Sequence, residues 1–364
     1  MKIVSVIGAR PNFVKIIPII NESRKRGHEH ILVHTGQHYD FRMSQIFFQE
    51  LKLPKPDYNL NIKANHKHGE QTAEILKKTE NVLEKEKPDV VIVVGDTNSS
   101  LGGALAAKKL NIKVVHVEAG LRAYDLSIPE EVNRILIDVC SDFLFCPTDT
   151  AVKNLKNSKD ITGKFWNVGN ISIDTLIQNK NLIPEWPEKG YCIFTTHRPV
   201  NVDRPKRLEL LIEIINSVSE MIKIIFPIHP RTKKMMQKYK LISKIKKNVK
   251  VIEPLGYLDF HSLLNNSSIV ITDSGGIIAE ACYRGIPCLI MPQSLKKTNY
   301  NLTEWTETLG RNSIFIGLDQ KIAVENVKNF LRQTNNGERK LKNPYPGWNG
   351  NSSKKIFDIL EGEL

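Results

Sequence analysis

Short apolar runs alternate with amphipathic segments along almost the whole chain. Each apolar run is followed by a Gly, Pro or polar turn and then by a helical pattern, for example at residues 98–109 and 130–140. Strands that alternate with helices predict βαβ units and parallel sheets, and therefore an α/β protein. The predicted strands are residues 2–7, 30–34, 90–94, 114–117, 143–146, 191–195, 222–228, 249–252, 269–272, 287–291 and 313–316.

This alternation is interrupted once, between residues 167 and 190, by prolines and glycines. A chain of 364 residues is long enough for two domains. We expect a first Rossmann-like domain over residues 1–170 and a second over residues 171–351, followed by a short helix at residues 352–364. Ligands of such sheets bind at the carboxyl ends of the strands, which predicts an active-site cleft between the two domains.

Composition and charge exclude several classes of protein. The sequence lacks the roughly 18 to 20 consecutive apolar residues of a membrane span, and its start lacks the cleavage site of an exported protein, so we expect a cytoplasmic protein without a membrane partner. The net charge of +13 comes largely from lysines spread over helical stretches, without the interleaved arginines and aromatics of a nucleic-acid-binding protein. The five cysteines show neither disulfide nor zinc-site spacing.

Polar residues follow the predicted strands of the first half. The segment "GARPNFVK" after the first strand lacks the GxGxxG pattern, which argues against a nicotinamide cofactor. Asp96 ends a buried strand and is either a helix cap or a catalytic group. Glu118 ends the next strand, where no helix cap explains it. Glu130 and Glu131 open a helix, where a carboxylate interacts favourably with the helix dipole, so one of the two has a structural explanation.

The second half repeats this arrangement. His197 follows its first predicted strand and His229 follows the next, and each histidine is either structural or part of a binding site. The segment "TDSGGIIAEA" predicts a strand, a Gly-rich turn and a helix, whose first N–H groups can bind a phosphate. We expect Glu280, further along that helix, to reach a ribose hydroxyl.

In order and approximate spacing, these motifs resemble those of the non-hydrolysing UDP-N-acetylglucosamine 2-epimerases. The matching segments, from residue 8 to about 307, are "GARPNFVK", "HTGQHYD", "GDTN", "HVEAGLR", "PEEVNR", "THRPVN", "HPRT" and "TDSGG". The resemblance implies a GT-B architecture, in which the second domain holds most of the nucleotide and a final helix returns to the first. It also implies a homodimer that uses no metal and no dissociable redox cofactor.

The same resemblance implies a role for individual residues. It implies a UDP site made by Arg10, His229, Phe260, Ser274, Gly275, Gly276 and Glu280, with the diphosphate at Ser274 to Gly276, the ribose at Glu280 and the uracil near Phe260. It implies a catalytic group made by Asp96, Glu118 and Glu130, with Lys15, Arg134 and His197 beside them. In regulated bacterial members a second substrate molecule binds near the positions that correspond to Gln37, His38 and Arg198.

Some positions depart from the common family pattern. Pro199 and Val200 replace polar residues of the "HRREN" motif, and Ile278 and Ala279 replace polar residues of "SGGIQEEA". Trp305 stands where an arginine often contacts the nucleotide. The "TEW" form, together with "GARPNF", resembles the branch that acts on UDP-2,3-diacetamido-2,3-dideoxyglucuronic acid.

Several activities are compatible with these residues. The leading hypothesis is epimerisation of UDP-N-acetylglucosamine to UDP-N-acetylmannosamine, through elimination of UDP to a 2-acetamidoglucal and its re-addition. The alternatives are the same reaction on the diacetamido sugar, a GT-B glycosyltransferase with the same nucleotide site, a non-catalytic nucleotide-sugar sensor and a hydrolysing epimerase. The dense carboxylates of the first half favour epimerisation over transfer, and the resemblance disfavours hydrolysis.

Overall fold

The computed structural model describes residues 1–36, 50–62, 67–292, 305, 308–335, 345 and 347–364. They form two compact units, Met1–Asn181 with Gly347–Leu364, and Leu182–Pro346. Each unit is an α/β structure built on one parallel sheet, which confirms the predicted fold class.

The first unit has a seven-stranded sheet among its described residues. Its strands are β1 (Lys2–Ile7), β2 (Glu29–His34), β3 (Tyr58–Asn59), β4 (Val90–Val94), β5 (Lys113–Val117), β6 (Phe143–Cys146) and β7 (Lys164–Asn167). Between and after them lie helices α1 (Arg10–Lys25), α2 (His68–Glu86), α3 (Asn98–Lys109), α4 (Pro129–Cys140), α5 (Asp149–Lys156) and α6 (Ile171–Gln178). The strand order is β3-β2-β1-β4-β5-β6-β7. The order reverses between β1 and β4, and ligands of doubly wound sheets bind at such a switch point.

Helix α3 shows how the sequence builds this unit. Thr97 caps its N-terminus, because the Thr97 hydroxyl accepts a hydrogen bond from the Ser100 N–H at 3.2 Å. Its paired glycines allow close packing: a Cβ on Gly102 would lie 2.5 Å from Cγ2 of Ile75, and one on Gly103 would lie 2.9 Å from Cβ of Val6. Helix α3 therefore packs tightly against α2 and β1.

The first unit extends past the predicted boundary at residue 170 and includes α6. The Thr175 hydroxyl donates a hydrogen bond to the Val14 carbonyl on α1, which ties α6 to this unit. The last helix, α13 (Ser352–Glu363), also belongs to it. The fully buried Asp174 accepts hydrogen bonds from the N–H groups of Ser352 and Ser353 at 3.1 and 2.7 Å, and burial raises the pKa of Asp174.

The second unit repeats the topology of the first with six described strands. These are β8 (Tyr191–Thr195), β9 (Ile224–Pro227), β10 (Val249–Ile252), β11 (Ser267–Thr272), β12 (Cys288–Ile290) and β13 (Ser313–Phe315). The helices are α7 (Pro199–Val202), α8 (Pro205–Val218), α9 (Pro230–Lys238), α10 (Tyr257–Asn265), α11 (Gly275–Arg284) and α12 (Gln320–Asn335). The order β10-β9-β8-β11-β12-β13 reverses between β8 and β11, so this sheet also has a switch point.

The eleven predicted strands are all present, with ends that differ by a few residues. Two edge strands were not predicted. Strand β3 is only two residues long, and β7, "KFWN", has no apolar run because it is mostly half-buried. Among the helices in the described ranges, none has both the length and the apolar composition needed to cross a bilayer.

Candidate active site

The ion pair of Glu118 with Lys15 lies at the carboxyl end of β5. Glu118 follows β5 directly, and its carboxylate contacts the Lys15 ammonium group from α1. The Glu118 backbone has a φ of +73°, a left-handed conformation that costs a non-glycine residue about 1–2 kcal/mol. A Cβ on Gly95, which follows β4, would lie 3.2 Å from the Glu118 carboxylate and 3.4 Å from the Lys15 nitrogen. The glycine therefore leaves room for the pair.

A second ion pair joins Asp96, in the loop after β4, to Arg134 on α4. The side chain of Asn133 donates a hydrogen bond to the Asp96 carbonyl at 2.9 Å, so α4 holds this loop through both main chain and side chain. The Arg134 guanidinium also lies 3.2 Å from the Glu131 carboxylate. The structure thus brings together two residues, Asp96 and Arg134, that are far apart in sequence and that the resemblance assigns to one site.

The adjacent glutamates at the start of α4 have different environments. Glu131 is fully buried, and its carboxylate accepts hydrogen bonds from the N–H groups of Ala123 at 2.8 Å and Tyr124 at 2.6 Å. These bonds fix the loop that leads into the helix. Glu130 is half-buried, so its side chain keeps access to solvent. The structural role predicted for one of the two glutamates is filled by Glu131.

Asn12 is a supporting residue that the sequence did not reveal. It is buried in the first turn of α1, where its side-chain oxygen accepts a hydrogen bond from the Ala9 N–H at 3.1 Å. Its amide donates to the Val94 carbonyl at 2.8 Å. Asn12 thus links the loop after β1 to the end of β4 across the switch point. Arg10 begins α1, and its side chain lies outside the described part of the chain.

A buried cluster of three polar side chains, His116, Asp138 and Arg122, supports the loops after β4 and β5. His116 on β5 lies 2.6 Å from the Asp138 carboxylate through Nδ1 and 3.1 Å from the Gly95 carbonyl through Nε2. The guanidinium of Arg122 donates to the other Asp138 oxygen at 2.6 Å. Arg122 therefore holds the loop after β5 in shape.

In the second unit, Asp273 organises the loops at the switch point between β8 and β11. This carboxylate is fully buried and accepts hydrogen bonds from the Thr196 hydroxyl at 2.7 Å, the His197 and Arg198 N–H groups at 3.1 Å each and the Asn201 amide at 2.8 Å. Although burial opposes ionisation, His197 and these donors hold the pKa of Asp273 well below its usual range. The loop after β8 is therefore fixed to the loop after β11.

His197 lies beside Asp273, and His229 lies next to His197. The His197 Nδ1 atom is 3.2 Å from the Asp273 carboxylate, and the two imidazole rings are 5.4 Å apart. His229 caps α9, because its Nδ1 accepts a hydrogen bond from the Arg231 N–H at 3.2 Å. In the neutral ring, the proton is therefore on Nε2. The Arg198 side chain donates to the Asp273 carbonyl, and the other two residues of the expected regulatory site, Gln37 and His38, lie outside the described residues.

The Gly-rich turn after β11 forms the N-terminus of α11. Ser274 occupies the cap position, but its side chain makes no capping hydrogen bond. A Cβ on Gly276 would meet no atom of the described residues within 4 Å, so the space beside it is open to a ligand. Ile278 and Ala279, which replace polar residues of the family pattern, are buried in the core.

The remaining residues of the expected UDP site lie on α10 and α11. Glu280 is largely buried on α11, and Phe260 is half-buried on α10. Trp305, at the position where family members often have an arginine, is only 2% exposed. Its side chain therefore packs in the protein interior.

Known proteins share this sequence and fold. The family model described as UDP-N-acetylglucosamine 2-epimerase matches residues 21–361. The chain is 46% identical to a UDP-N-acetylglucosamine 2-epimerase homolog of Methanococcus maripaludis, and 40% identical to the UDP-2,3-diacetamido-2,3-dideoxy-D-glucuronate 2-epimerase of Pseudomonas aeruginosa, over 99% of both chains in each case. The crystal structure of the Methanocaldococcus jannaschii UDP-GlcNAc 2-epimerase in complex with UDP-GlcNAc and UDP matches it with a TM-score of 0.88 and 41% identity, over 100% of both chains. The chain belongs to the UDP-N-acetylglucosamine 2-epimerase family, whose members are isomerases with the GT-B fold.

Proposed function

We propose that the protein interconverts UDP-N-acetylglucosamine and UDP-N-acetylmannosamine by inverting C2 without hydrolysis. The observation that carries this proposal is the pair of cation-bound carboxylates at neighbouring strand ends, Glu118 with Lys15 and Asp96 with Arg134. The family membership and the similarity to an epimerase crystallised with UDP-GlcNAc support the same reaction.

The reaction begins with departure of UDP. The C2 proton is not next to a carbonyl, so its direct removal would give a poorly stabilised carbanion. Breaking the anomeric C–O bond first places positive charge on C1 and acidifies the C2 proton. The N-terminus of α11, at Ser274, Gly275 and Gly276, would stabilise the departing diphosphate, with Arg10 and His229 as additional donors.

Inversion requires proton transfer on both faces of C2. A carboxylate removes the proton to give the 2-acetamidoglucal, and an acid on the opposite face returns a proton before UDP adds again. We assign these transfers collectively to Asp96, Glu118 and Glu130, and a supporting catalytic role to His197. A neighbouring cation favours the ionised form of a carboxylate, which is the form that removes a proton. Among the described residues, no three His, Cys, Asp or Glu side chains are grouped as metal ligands.

A second substrate has a specific observation in its favour. The 40% identity to the diacetamidoglucuronate epimerase is close to the 41% identity to the M. jannaschii enzyme. The "TEW" segment of this sequence also resembles the diacetamido branch. The experiment that tests the proposed function must therefore include both UDP-sugars.

The decisive experiment offers the two UDP-sugars separately to the protein in deuterated water and identifies the products by NMR and mass spectrometry. We expect the C2 epimer, with deuterium at C2, from one or both sugars. The Glu118→Gln variant should bind UDP normally and turn over about 10²–10⁴-fold more slowly. Three results would overturn the proposal: sugar transfer to an acceptor without exchange, free N-acetylmannosamine and UDP as sole products, or binding without any exchange.

We also propose that the protein is a homodimer that associates through α4. Val132, Leu136 and Val139 are exposed on this helix at spacings of four and three residues, so they form one apolar stripe. Exposed apolar stripes of this kind commonly mark protein interfaces. The resemblance of the sequence motifs to a family of homodimers favours a second copy of the chain as the partner.

A cytoplasmic location is part of the same proposal. The five cysteines, all within the described ranges, form no disulfide. Burial raises the pKa of Cys146, Cys192 and Cys288, which keeps them as thiols. Reduced cysteines are typical of cytoplasmic proteins, and fractionation of the source cells would test the location.

A further inference from the structure

A buried histidine lies behind the candidate ribose-binding carboxylate. His261 on α10 is 1% exposed, and its Nε2 lies 3.6 Å from Oε1 of Glu280 on α11. At this distance His261 Nε2 makes no hydrogen bond to a described residue. The edge-to-face contact with Tyr257, one turn earlier on α10, has a ring separation of 4.3 Å and holds the imidazole in place.

The tautomer of a neutral His261 ring follows from its other neighbour. Arg284, one turn after Glu280 on α11, points its Nη2 at His261 Nδ1 from 3.4 Å. A guanidinium can only donate, so Nδ1 must be the acceptor and the neutral ring carries its proton on Nε2. That N–H points at the Glu280 carboxylate. Arg284 is itself held by Asn265, whose side-chain oxygen accepts from its guanidinium.

The position of Glu280 along α11 suits a nucleotide bound at the helix start. Glu280 is five residues after Gly275, which is about 7.5 Å along the helix axis. A ribose joined to a diphosphate at the N-terminus would therefore have its hydroxyls beside Glu280. The side chain of Glu280 is 11% exposed, against 1% for that of His261, so the carboxylate is the member of the pair that a ligand can reach.

We propose that His261 is a positioning residue that holds the Glu280 carboxylate ready to accept hydrogen bonds from the 2′- and 3′-hydroxyls of the UDP ribose. The inference rests on the proposed function, since it requires UDP at α11. An ionised carboxylate can accept about four hydrogen bonds. The His261 N–H faces Oε1 from 3.6 Å, which leaves the other acceptor directions of the carboxylate for the ribose hydroxyls.

This arrangement predicts selectivity for ribose over 2′-deoxyribose. A buried site built to bond a hydroxyl discriminates against a ligand that lacks it, because the protein group is then left without its partner. The selectivity depends on a carboxylate with a fixed orientation. Without the His261 N–H, Glu280 can turn away from the ribose. The difference in affinity between UDP and 2′-deoxy-UDP then becomes smaller.

The test measures binding of UDP and 2′-deoxy-UDP by calorimetry to the intact protein and to His261→Gln and His261→Asn. A glutamine amide reaches the place of Nε2, whereas an asparagine amide reaches only that of Nδ1. We expect the unaltered protein and His261→Gln to prefer UDP by about tenfold or more, and His261→Asn to lose most of that preference. His261→Asn should raise KM for the UDP-sugar by a similar factor and change kcat by less than about twofold, because only nucleotide binding is altered.

A matched control removes a different buried histidine. His30 in the first unit lies 2.9 Å from the Ser5 hydroxyl through Nε2, and His30→Asn should leave the ribose preference unchanged. Equal weakening of UDP and 2′-deoxy-UDP binding in His261→Asn, or loss of preference in His261→Gln as well, would overturn the inference. If the unaltered protein binds no UDP, the proposed function itself fails. If it binds UDP with a preference that ignores His261, the inference alone fails.

Discussion

Glu131 and Arg134 lie one turn apart on α4, with the Glu131 carboxylate 3.2 Å from the Arg134 guanidinium. Arg134 in turn pairs with Asp96, so the buried glutamate stabilises the cation that holds a candidate catalytic carboxylate. Because Glu131 also accepts hydrogen bonds from the N–H groups of Ala123 and Tyr124, its oxygens are committed to the fold. Glu130, its half-buried neighbour, has the access that chemistry requires.

Glutamine substitutions should separate these two glutamates. We expect Glu130→Gln to lower kcat by about 10²–10⁴ and to change the free energy of unfolding by less than about 0.5 kcal/mol. Glu131→Gln should lower the free energy of unfolding by about 1–3 kcal/mol, because it replaces a buried acceptor with a donor facing backbone N–H groups. Epimerisation assays and urea titrations on both variants measure the contrast. Full turnover in Glu130→Gln would remove that residue from the mechanism.

The positive φ of Glu118 predicts an unusual order of stabilities at this position. Alanine at φ +73° retains the steric cost of a Cβ, about 1–2 kcal/mol, and glycine does not. After the entropy cost of glycine, about 0.5–1 kcal/mol, the free energy of unfolding of Glu118→Gly should exceed that of Glu118→Ala by up to about 1.5 kcal/mol. Both variants lose the carboxylate and should lose turnover. Urea titrations compare the two variants directly. If Glu118→Ala is more stable than Glu118→Gly, the backbone at residue 118 is not strained as proposed.

The parallel sheets could be predicted from sequence because both faces of their strands are buried. Strand β4, "VVIVV", is fully buried and reads as a continuous apolar run, whereas the edge strand β7 is mostly half-buried and gives no such signal. Asp96 and Glu118 stood out in the sequence as candidate site residues for a related reason. The carboxyl ends of neighbouring parallel strands meet at one edge of the sheet, so polar residues there are brought together by topology alone.

The residues that escaped prediction act through contacts between distant parts of the chain. Asp273 precedes a Gly-rich turn and looks like a helix-capping residue, but its donors come from residues 196–201, more than seventy positions earlier. His261 is one histidine in an apolar helix, and only the fold brings it to Glu280 and Arg284. The first unit likewise extends to Asn181 because α6 packs on α1, a contact that the chain order does not reveal.

Asp273 should make the stability of the second unit depend on acid pH. Its pKa in the folded protein lies below the ordinary 3.8, so the ionised form contributes stability that is present above about pH 4 and is lost as the pH falls further. Asp273→Asn should therefore lower the free energy of unfolding at pH 7 by about 1.5–3 kcal/mol for each charge-assisted hydrogen bond that it removes. Below pH 4 this loss should become progressively smaller.

Thermal or urea unfolding of both proteins across pH 3 to 7 measures this difference. Asp203→Asn serves as the control, because Asp203 pairs with Arg231 at the surface and such pairs contribute little, about 0–1 kcal/mol. If the difference in free energy of unfolding between the native protein and Asp273→Asn stays constant from neutral pH to pH 3, the lowered pKa of Asp273 is contradicted.

The apolar stripe of α4 predicts a dimer that a single lysine should dissociate. Leu136, at its centre, is 43% exposed in the isolated chain, and Leu210 on α8 is 41% exposed. If α4 is the interface, Leu136→Lys places an unpaired charge in a buried apolar contact and should raise the dimer dissociation constant about a hundredfold or more. Leu210→Lys makes the same chemical change at a similarly exposed leucine in the second unit and should leave the dimer intact. Sedimentation of the three proteins over a range of concentrations distinguishes these outcomes. A Leu136→Lys protein that remains as dimeric as the native one would exclude α4 as the interface.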